Sequence, residues 1–232
     1  ALNPVKTIQQ TLSAPLRCHG TPAREVKARV EELLRIVGVI PPEYFFNKYP
    51  HHLSGGMRQR VVLARSIIPK PQFILADEPV SMVDASLRLS ILDLMMKLNR
   101  ELGVAFLYIT HDLATARYIA RRGRIAVMYL GRIVETGVLA DVFERPLHPY
   151  LQALLAAAPI PDPKVAKKRK ALPLKSLEVA GADAIPIGCA FHPRCPYAKE
   201  ICAQEVPQLE DRENGHLVAC HRAEVIPPWH LM

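Results

Sequence analysis

The chain of 232 residues is long enough for one large domain, or for a medium domain with a small appendage. Half of the residues are hydrophobic and 22% are charged, which is typical of a folded globular protein and excludes a disordered or fibrous chain. The longest weakly polar stretch, residues 151–161, is too short to span a membrane, and the N-terminal residues lack the apolar core of a signal peptide. We therefore expect a cytosolic protein that reaches a membrane only through a partner.

The formal net charge of +8 would suit nucleic acid, an acidic lipid surface or nucleotide phosphates. Five basic residues lie within 164–170, so much of the excess belongs to one short segment, which we interpret as a solvated linker. The chain also has 21 prolines, and those after Leu155 predict a region rich in loops.

The spacing of apolar residues predicts an α/β protein. An amphipathic helix is expected over 23–38, and a second helix begins at Ser54 and ends before Pro69. Further along the chain we predict a buried strand at 72–76, a helix at 84–102, a strand at 104–109, a helix at 112–120, a strand at 125–129, an antiparallel strand at 131–137, and helices at 138–144 and 149–158. Strands that alternate with helices indicate a sheet with functional residues at the strand ends.

The run LSGGMRQR at 53–60 places Ser54 and two glycines, Gly55 and Gly56, at the start of a helix. Glycines let a ligand approach the backbone, and a helix N-terminus offers unpaired N–H groups to an anion, so the segment suits a phosphate. The alternative is that Ser54 only caps its own helix.

Acidic residues follow the strand in the run FILADEP, where Asp77 and Glu78 leave its carboxyl end. Such a pair is typical of a Mg-nucleotide site, where one carboxylate holds the hydrated metal and the next orients and deprotonates the attacking water. His111 and Asp112 leave the next predicted strand in the same way. The sequence therefore predicts that these residues lie at the same edge of a sheet.

Together, the motifs resemble those of the ATP-binding subunits of ABC transporters. LSGGMRQR matches the signature loop, FILADEP the Walker B motif with its glutamate, SMVDAS at 81–86 the D-loop, and His111 the switch histidine. The D-loop departs from the commoner SALD pattern but keeps Asp84. HPYLQALLAAAP at 148–159 and GCAFHPRCPYAKEIC at 188–202 resemble the C-terminal extension of oligopeptide and dipeptide permease ATPases, so the resemblance covers the whole chain.

The resemblance implies a catalytic role for three residues and implies ATP and Mg²⁺ as ligands. Asp77 would hold Mg²⁺ through water, Glu78 would be the general base, and His111 would contact the γ-phosphate.

It also implies contacts across a dimer. The family works as head-to-tail pairs, so Ser54, Gly55 and Gly56, with Gln59 of the same motif, would bind an ATP held by the opposite subunit, and Asp84 would lie at the seam. The implied partners are a second ABC ATPase subunit and transmembrane permease subunits, with no nucleic acid. The protein would be peripheral on the cytoplasmic face of the membrane and would energise peptide import.

Three family features are missing from these residues. The phosphate loop G-x-x-x-x-G-K-[ST] does not occur, nor do the adenine-stacking aromatic residue and the glutamine loop. We therefore interpret the chain as the C-terminal part of a RecA-like nucleotide-binding domain and expect it to be inactive by itself. The predicted segments are a helical subdomain with the signature motif at 1–71, the second half of the core at 72–147, the HPY helix with a Pro-rich basic linker at 148–187, and a Cys-rich extension at 188–232.

Four of the five cysteines lie in the last 44 residues, namely Cys189, Cys195, Cys202 and Cys220. Without a secretion signal this clustering favours a metal over disulfides. The intervening gaps of 5, 6 and 17 residues are unlike the C-x2-C pairs of common zinc modules. Four thiolates suit a [4Fe–4S] cluster, which we favour, or Zn²⁺, and reduced structural thiols remain a third reading.

Single residues outside the cluster receive simpler interpretations. Three histidines near the tail cysteines, His192, His216 and His221, are predicted to be surface residues and are spare ligands. Cys18 stands alone and is predicted to be a small buried hydrophobe.

Two other functions stay open. A non-transport ABC ATPase acting on nucleic acid or ribosomes would use the positive charge but would have no need of the HPY segment or the cysteine tail. A non-catalytic partner would only complete the ATP site of another subunit.

Overall fold

The computed structural model describes residues 2–81, 83–159, 172–179, 181 and 184–228. The predicted basic linker at 164–170 lies outside these residues. The chain forms two compact units, Ala1–Ile119 and Ala120–Met232. This division differs from the four predicted segments, because the predicted core segment 72–147 is shared between the two units. Within the described ranges, no helix combines the length and the apolar character that crossing a membrane requires.

The first unit packs helices against a short parallel sheet. Its elements, in chain order, are α1 (Ile8–Cys18), α2 (Val26–Ile36), α3 (Pro42–Phe45), a 3-10 turn at Pro50–His52, α4 (Gly55–Ser66), β1 (Phe73–Asp77), α5 (Ala85–Leu102), β2 (Ala105–Ile109) and α6 (Leu113–Ile119). Helices α1, α2, α4 and α5 share one core, to which Leu12, Leu34, Val61 and Leu92 contribute fully buried side chains.

Helix α1 has no counterpart among the sequence predictions. Its start is fixed by a capping box, in which the Thr7 hydroxyl accepts a hydrogen bond from the Gln10 amide at 3.2 Å and the Gln10 side chain accepts one from the Thr7 amide at 2.9 Å. Cys18 lies at the end of this helix and is exposed, so its predicted burial is wrong. It is the last residue of the helix.

Strands β1 and β2 run parallel, with Phe73 opposite Ala105 and Asp77 opposite Ile109. The predicted full burial of β1 is wrong. Phe73 is 54% exposed and Leu75 is 59% exposed, whereas Ile74 and Ala76 pack on the helical core. The reason is that successive side chains of a strand point to opposite faces, and the helices cover one face.

The second unit is built on an antiparallel sheet with the strand order β3-β4-β6-β5. Its elements are β3 (Arg124–Tyr129), β4 (Arg132–Val138), α7 (Leu139–Glu144), α8 (Pro149–Ala157), α9 (Glu200–Gln204), β5 (Glu210–Glu213) and β6 (His216–Val218). The predicted turn at Leu130–Gly131 is confirmed, and both residues have positive φ, as a tight hairpin turn with the right twist requires.

The C-terminal tail is part of this sheet. Strand β6 pairs with β4, where Glu135 lies opposite Val218, and β5 pairs with β6. The prediction that the tail forms a separate small unit therefore does not hold for its strands, because their hydrogen bonds join a sheet begun about eighty residues earlier in the chain.

Candidate functional site

The acidic pair lies at the carboxyl end of β1. Asp77 is the last residue of the strand and is exposed, and Glu78 begins the turn that follows. Glu78 has a φ of 44°, which is unusual for a residue with a side chain. The Glu78 amide donates to the Ile109 carbonyl at 2.9 Å, and the Ser81 amide and hydroxyl donate to the Glu78 carbonyl at 3.2 and 3.0 Å. These bonds hold the turn in a conformation that costs about 1–3 kcal/mol.

His111 lies at the same sheet edge, as the sequence predicts, and it contacts Glu78 there. The His111 Nδ1 is hydrogen-bonded to the Glu78 Oε1, so the residues that follow β1 and β2 are joined directly. The His111 side chain is 80% exposed and that of Glu78 is 36% exposed. The pair is thus open to solvent, and a water molecule or a phosphate can reach the carboxylate.

Asp112, at the same edge of the sheet, has a structural role as a helix cap. Its Oδ1 accepts from the Ala114 amide at 2.8 Å and so caps the start of α6. Its Oδ2 lies 3.6 Å from Nη1 of Arg88, whose Nε donates to the Val83 carbonyl at 3.1 Å. Arg88 was not singled out from sequence, because an arginine on the exposed side of a helix gives no local signal.

A magnesium ion fits the chemistry of this edge. Mg²⁺ in nucleotide sites is held by one or two carboxylates together with waters and phosphate oxygens. Asp77 and Glu78 provide adjacent carboxylates that are open to solvent. Throughout the described residues, no group of three or more His, Cys, Asp or Glu side chains is placed to hold a metal ion. Binding at this edge would therefore depend on the nucleotide as a further ligand.

The signature loop lies at the start of α4. Ser54 is its N-cap, and the hydroxyl accepts from the Met57 amide at 3.3 Å, so Ser54 does cap its helix, while its contact with phosphate stays a prediction. Gly55 opens the helix, and Gln59 lies one turn on; both are half-buried. A Cβ on the buried Gly56 would lie 3.2 Å from the Leu87 side chain, so this glycine permits close packing.

Through this packing of Gly56 on Leu87, the helix that begins after the D-loop aspartate contacts the signature loop. Asp84 is the exposed N-cap residue of α5, the helix that carries Leu87, and its side chain makes no capping bond. Ser54 has no hydrogen bond to Glu78 or His111 in the parts of the chain that the structure describes. The predicted residues of the first unit therefore form two clusters, one acidic and one at the start of α4.

The second unit contains a pocket formed by the four tail cysteines. Cys189, Cys195, Cys202 and Cys220 line it together with His148, Phe191, His192 and His221. The Cys189 amide donates to the Cys202 carbonyl at 2.8 Å, which holds two of the cysteine segments together. Gly188, with a φ of 75°, allows this approach, since a Cβ there would lie 2.5 Å from the Cys202 carbonyl oxygen. We call this set the cysteine pocket.

Burial makes three of these thiols, those of Cys189, Cys195 and Cys220, weaker acids by raising their pKa values. It raises the pKa of Cys195 to about 11 and that of Cys220 to about 12, and it raises the pKa of Cys189 as well. Negative charge on the neighbouring cysteines adds to the shift in all three cases, which reflects how near the sulfur atoms are to one another. In the absence of a metal these thiols are protonated at neutral pH.

The cysteine pocket fits a thiolate-bound metal by its donor atoms and by its enclosure. The four side chains line one cavity, but no three His, Cys, Asp or Glu side chains among the described residues are placed to hold a metal ion, so the single converged ligand set stays a prediction. His192 and His221 also line the pocket, but each makes a hydrogen bond to a backbone carbonyl, at 3.0 Å in both cases.

A buried polar cluster beside the pocket was missed by the sequence analysis. Glu135 is fully buried, and its carboxylate accepts from the Leu147 amide at 2.9 Å, the His148 amide at 2.7 Å and the His216 Nε2 at 2.8 Å. His216 is therefore buried, and its predicted surface position is wrong. A single Glu in a short strand gives no sign in sequence that three donors will surround it.

His148 connects this cluster to the cysteine pocket. It is the N-cap of α8, and its Nδ1 accepts from the Tyr150 amide at 3.0 Å, a position that the following Pro149 favours. The side chain is 1% exposed, and burial lowers the pKa of His148 to about 3, so the ring is neutral. Its Nε2 is buried and has no hydrogen-bond partner in the described structure. An unpaired buried donor costs about 1–3 kcal/mol.

Two known protein families match separate parts of this chain. Residues 1–81 match the ABC transporter family, and residues 134–202 match the C-terminal region of oligopeptide/dipeptide transporters. The dimeric ATP-binding cassette MJ0796, solved in a post-hydrolysis state with ADP and Pi, superposes with a TM-score of 0.51 and 32% sequence identity. That match covers 60% of this chain and 59% of MJ0796. The chain thus has the fold of an ABC-type ATPase.

Relatives with similar sequences indicate to which group within this family the chain belongs. The oligopeptide transport ATP-binding protein AppF of Bacillus subtilis (strain 168) is 40% identical over 222 residues, covering 95% of this chain and 66% of AppF. OppF of Escherichia coli (strain K12) is 41% identical over 226 residues, covering 97% and 66%. A putative peptide import ATP-binding protein of Brucella abortus (strain 2308) is 42% identical over 229 residues, covering 97% and 67%. The chain belongs to the ATP-binding proteins of oligopeptide and dipeptide ABC transporters, and it spans about two thirds of the length of these relatives.

Proposed function

We propose that this chain is part of an ATP-binding and ATP-hydrolysing subunit that energises the import of oligopeptides or dipeptides. The observation that carries the proposal is the contact of Glu78 with His111 at the exposed edge of β1 and β2, directly beside Asp77. The peptide substrate is supported by the names of the relatives, which are oligopeptide transport and peptide import proteins.

The residues of this edge divide the chemistry among them. Glu78 accepts the proton of the attacking water as it approaches the γ-phosphate. His111, which is largely exposed, is free to exchange its bond with Glu78 for one with a γ-phosphate oxygen. Asp77 would hold Mg²⁺ through water, and the ion supplies positive charge that neutralises the phosphates.

The start of α4 would serve a second subunit. Ser54, Gly55 and Gly56, with Gln59, are proposed to bind the γ-phosphate of an ATP carried by the partner ATPase, and Asp84 to lie at the seam between the two. The proposal is supported by the hydrogen bonds of the described residues, in which Ser54 contacts Met57 of its own helix while Glu78 contacts His111. The pair would act on transmembrane permease subunits from the cytoplasmic face of the membrane.

Glu78→Gln in the assembled transporter tests the catalytic assignment. ATP binding should be retained while hydrolysis falls by roughly 10²- to 10⁴-fold, the usual contribution of a general base. Glu101→Gln is the matched control, because Glu101 is an exposed glutamate that pairs with Lys97 on the same helix. An equal loss of ATP affinity in Glu78→Gln would assign this residue to binding instead.

A non-catalytic role is the second candidate, because the 232 residues contain no phosphate loop. In that case the chain would only complete the ATP site of its partner. Glu78→Gln would then leave hydrolysis by the assembly unchanged, whereas substitution of Ser54 would reduce it.

For the cysteine pocket we propose a metal–thiolate centre, with a [4Fe–4S] cluster favoured over Zn²⁺. The four thiols in one enclosed pocket support it. Protein purified without oxygen should be brown, absorb near about 400 nm and contain about four irons. A colourless protein with one tightly bound zinc would favour the tetrahedral alternative. Metal-free protein with an ordered tail would contradict both.

A further inference from the structure

The buried Nε2 of His148 is a polar atom that the ATPase chemistry does not use. The ring lies at the wall of the cysteine pocket, beside Phe191, with 5.8 Å between the ring centroids. Every other polar group of this residue has a partner: its amide donates to Glu135, and its Nδ1 accepts from the Tyr150 amide. Nε2 alone is left without a partner in the described residues, although it is buried.

The hydrogen bond from Tyr150 determines the state of the ring. Because a backbone N–H donates to Nδ1, that nitrogen carries no proton, and the neutral ring must carry its proton on Nε2. An Nε2–H group cannot ligate a metal, but it can donate a hydrogen bond. The acceptors that line the same pocket are cysteine sulfurs, which accept weakly as thiols and much more strongly as metal-bound thiolates.

We propose that His148 is a positioning residue of the cysteine pocket, whose Nε2–H donates a hydrogen bond to a sulfur of a metal–thiolate centre held by the four cysteines. The inference rests on the metal centre proposed above and extends it by assigning a role to the histidine of the HPY segment. The buried Glu135 fixes the backbone of His148, and the cap of α8 fixes its ring, so the donor is held rigidly.

Two substitutions separate this role from helix capping. In His148→Asn the side-chain oxygen is placed to accept from the Tyr150 amide, as Nδ1 does, but no donor extends to the position of Nε2. In His148→Gln the amide nitrogen extends to about the position of Nε2, but the cap is lost. A purely structural role of His148 in capping predicts that asparagine is tolerated and glutamine is not, whereas a donor role predicts the reverse.

The experiment measures metal binding and reduction potential on the full chain, with each variant checked for folding by circular dichroism. One arm titrates the protein with Co²⁺ and then Zn²⁺ in competition with a chelator, and the other reconstitutes it anaerobically with ferrous iron and sulfide. His148→Asn should weaken metal binding by about 10- to 100-fold, and in the iron arm it should lower the reduction potential, because a hydrogen bond to sulfur stabilises the reduced cluster. His148→Gln should lie close to wild type in both readouts.

Two further variants locate the metal. Cys189→Ser should lose binding, and Cys18→Ser, which changes the exposed cysteine of α1, should not. Wild-type protein that binds metal in neither arm overturns both the metal centre and the role of His148. Metal binding with unchanged affinity and potential in His148→Asn overturns the role of His148 alone, as does a glutamine variant that is impaired while the asparagine variant is normal.

Discussion

Replacing Glu135 tests whether its buried carboxylate organises the second unit. The side chain is fully buried and accepts hydrogen bonds at 2.7–2.9 Å from two backbone amides and from the His216 ring. Glu135→Ala leaves all three donors without their acceptor, and each buried donor that loses its hydrogen-bond partner costs about 1–3 kcal/mol. Glu135→Gln should cost less, because the amide keeps one acceptor oxygen but opposes a donor with its NH₂ group.

Urea unfolding followed by circular dichroism, together with hydrogen exchange at the Leu147 and His148 amides, measures the effect. The transition of the second unit should move to lower urea in Glu135→Ala, and both amides should exchange faster. Glu213→Gln is the matched control, because the Arg145–Glu213 pair of the same unit is 62% and 69% exposed and such pairs contribute little. An unfolding midpoint for Glu135→Ala equal to that of Glu213→Gln would refute the reasoning.

Three other predictions concern single residues. Burial lowers the pKa of His148 from 6.5 to about 3. As the pH falls below 6.5, the His148 ring therefore gains a proton in the unfolded chain but not in the folded chain. Wild type should therefore lose roughly 2 kcal/mol more stability than His148→Asn between pH 6.5 and 5, and equal slopes would contradict the assignment. In metal-free protein at pH 8, iodoacetamide should modify the exposed Cys18 long before Cys195, whose pKa burial raises to about 11; equal rates would refute this burial. In the assembled pair, Ser54→Arg should impair the ATP site of the partner. Ser54→Asp keeps a capping oxygen, so it should impair that site as well only if Ser54 contacts phosphate. Full activity of both variants would exclude this contact.

The sequence was informative where the signal is local. Apolar spacing predicted α2, α4, α5 and both parallel strands to within a few residues, because each periodicity reflects the helical or extended conformation of the segment itself. The contact of Glu78 with His111 was also predictable, since both residues leave the ends of neighbouring parallel strands. Helix α1 was missed although its capping box, Thr7 with Gln10, is a local signal that could have revealed it.

The features that the sequence did not predict depend on contacts between distant parts of the chain. Glu135 and His216 are 81 residues apart, and neither residue type predicts burial until the pairing of β4 with β6 brings them together. The one-sided exposure of β1 likewise depends on which layers pack against it. The sequence by itself determined the motifs, the helices and strands with a clear apolar periodicity, and the two acidic residues at a strand end. Only the tertiary structure determined that the histidine of the HPY segment lies at the wall of the cysteine pocket with a buried donor, because strand pairing and burial depend on residues far apart in the chain.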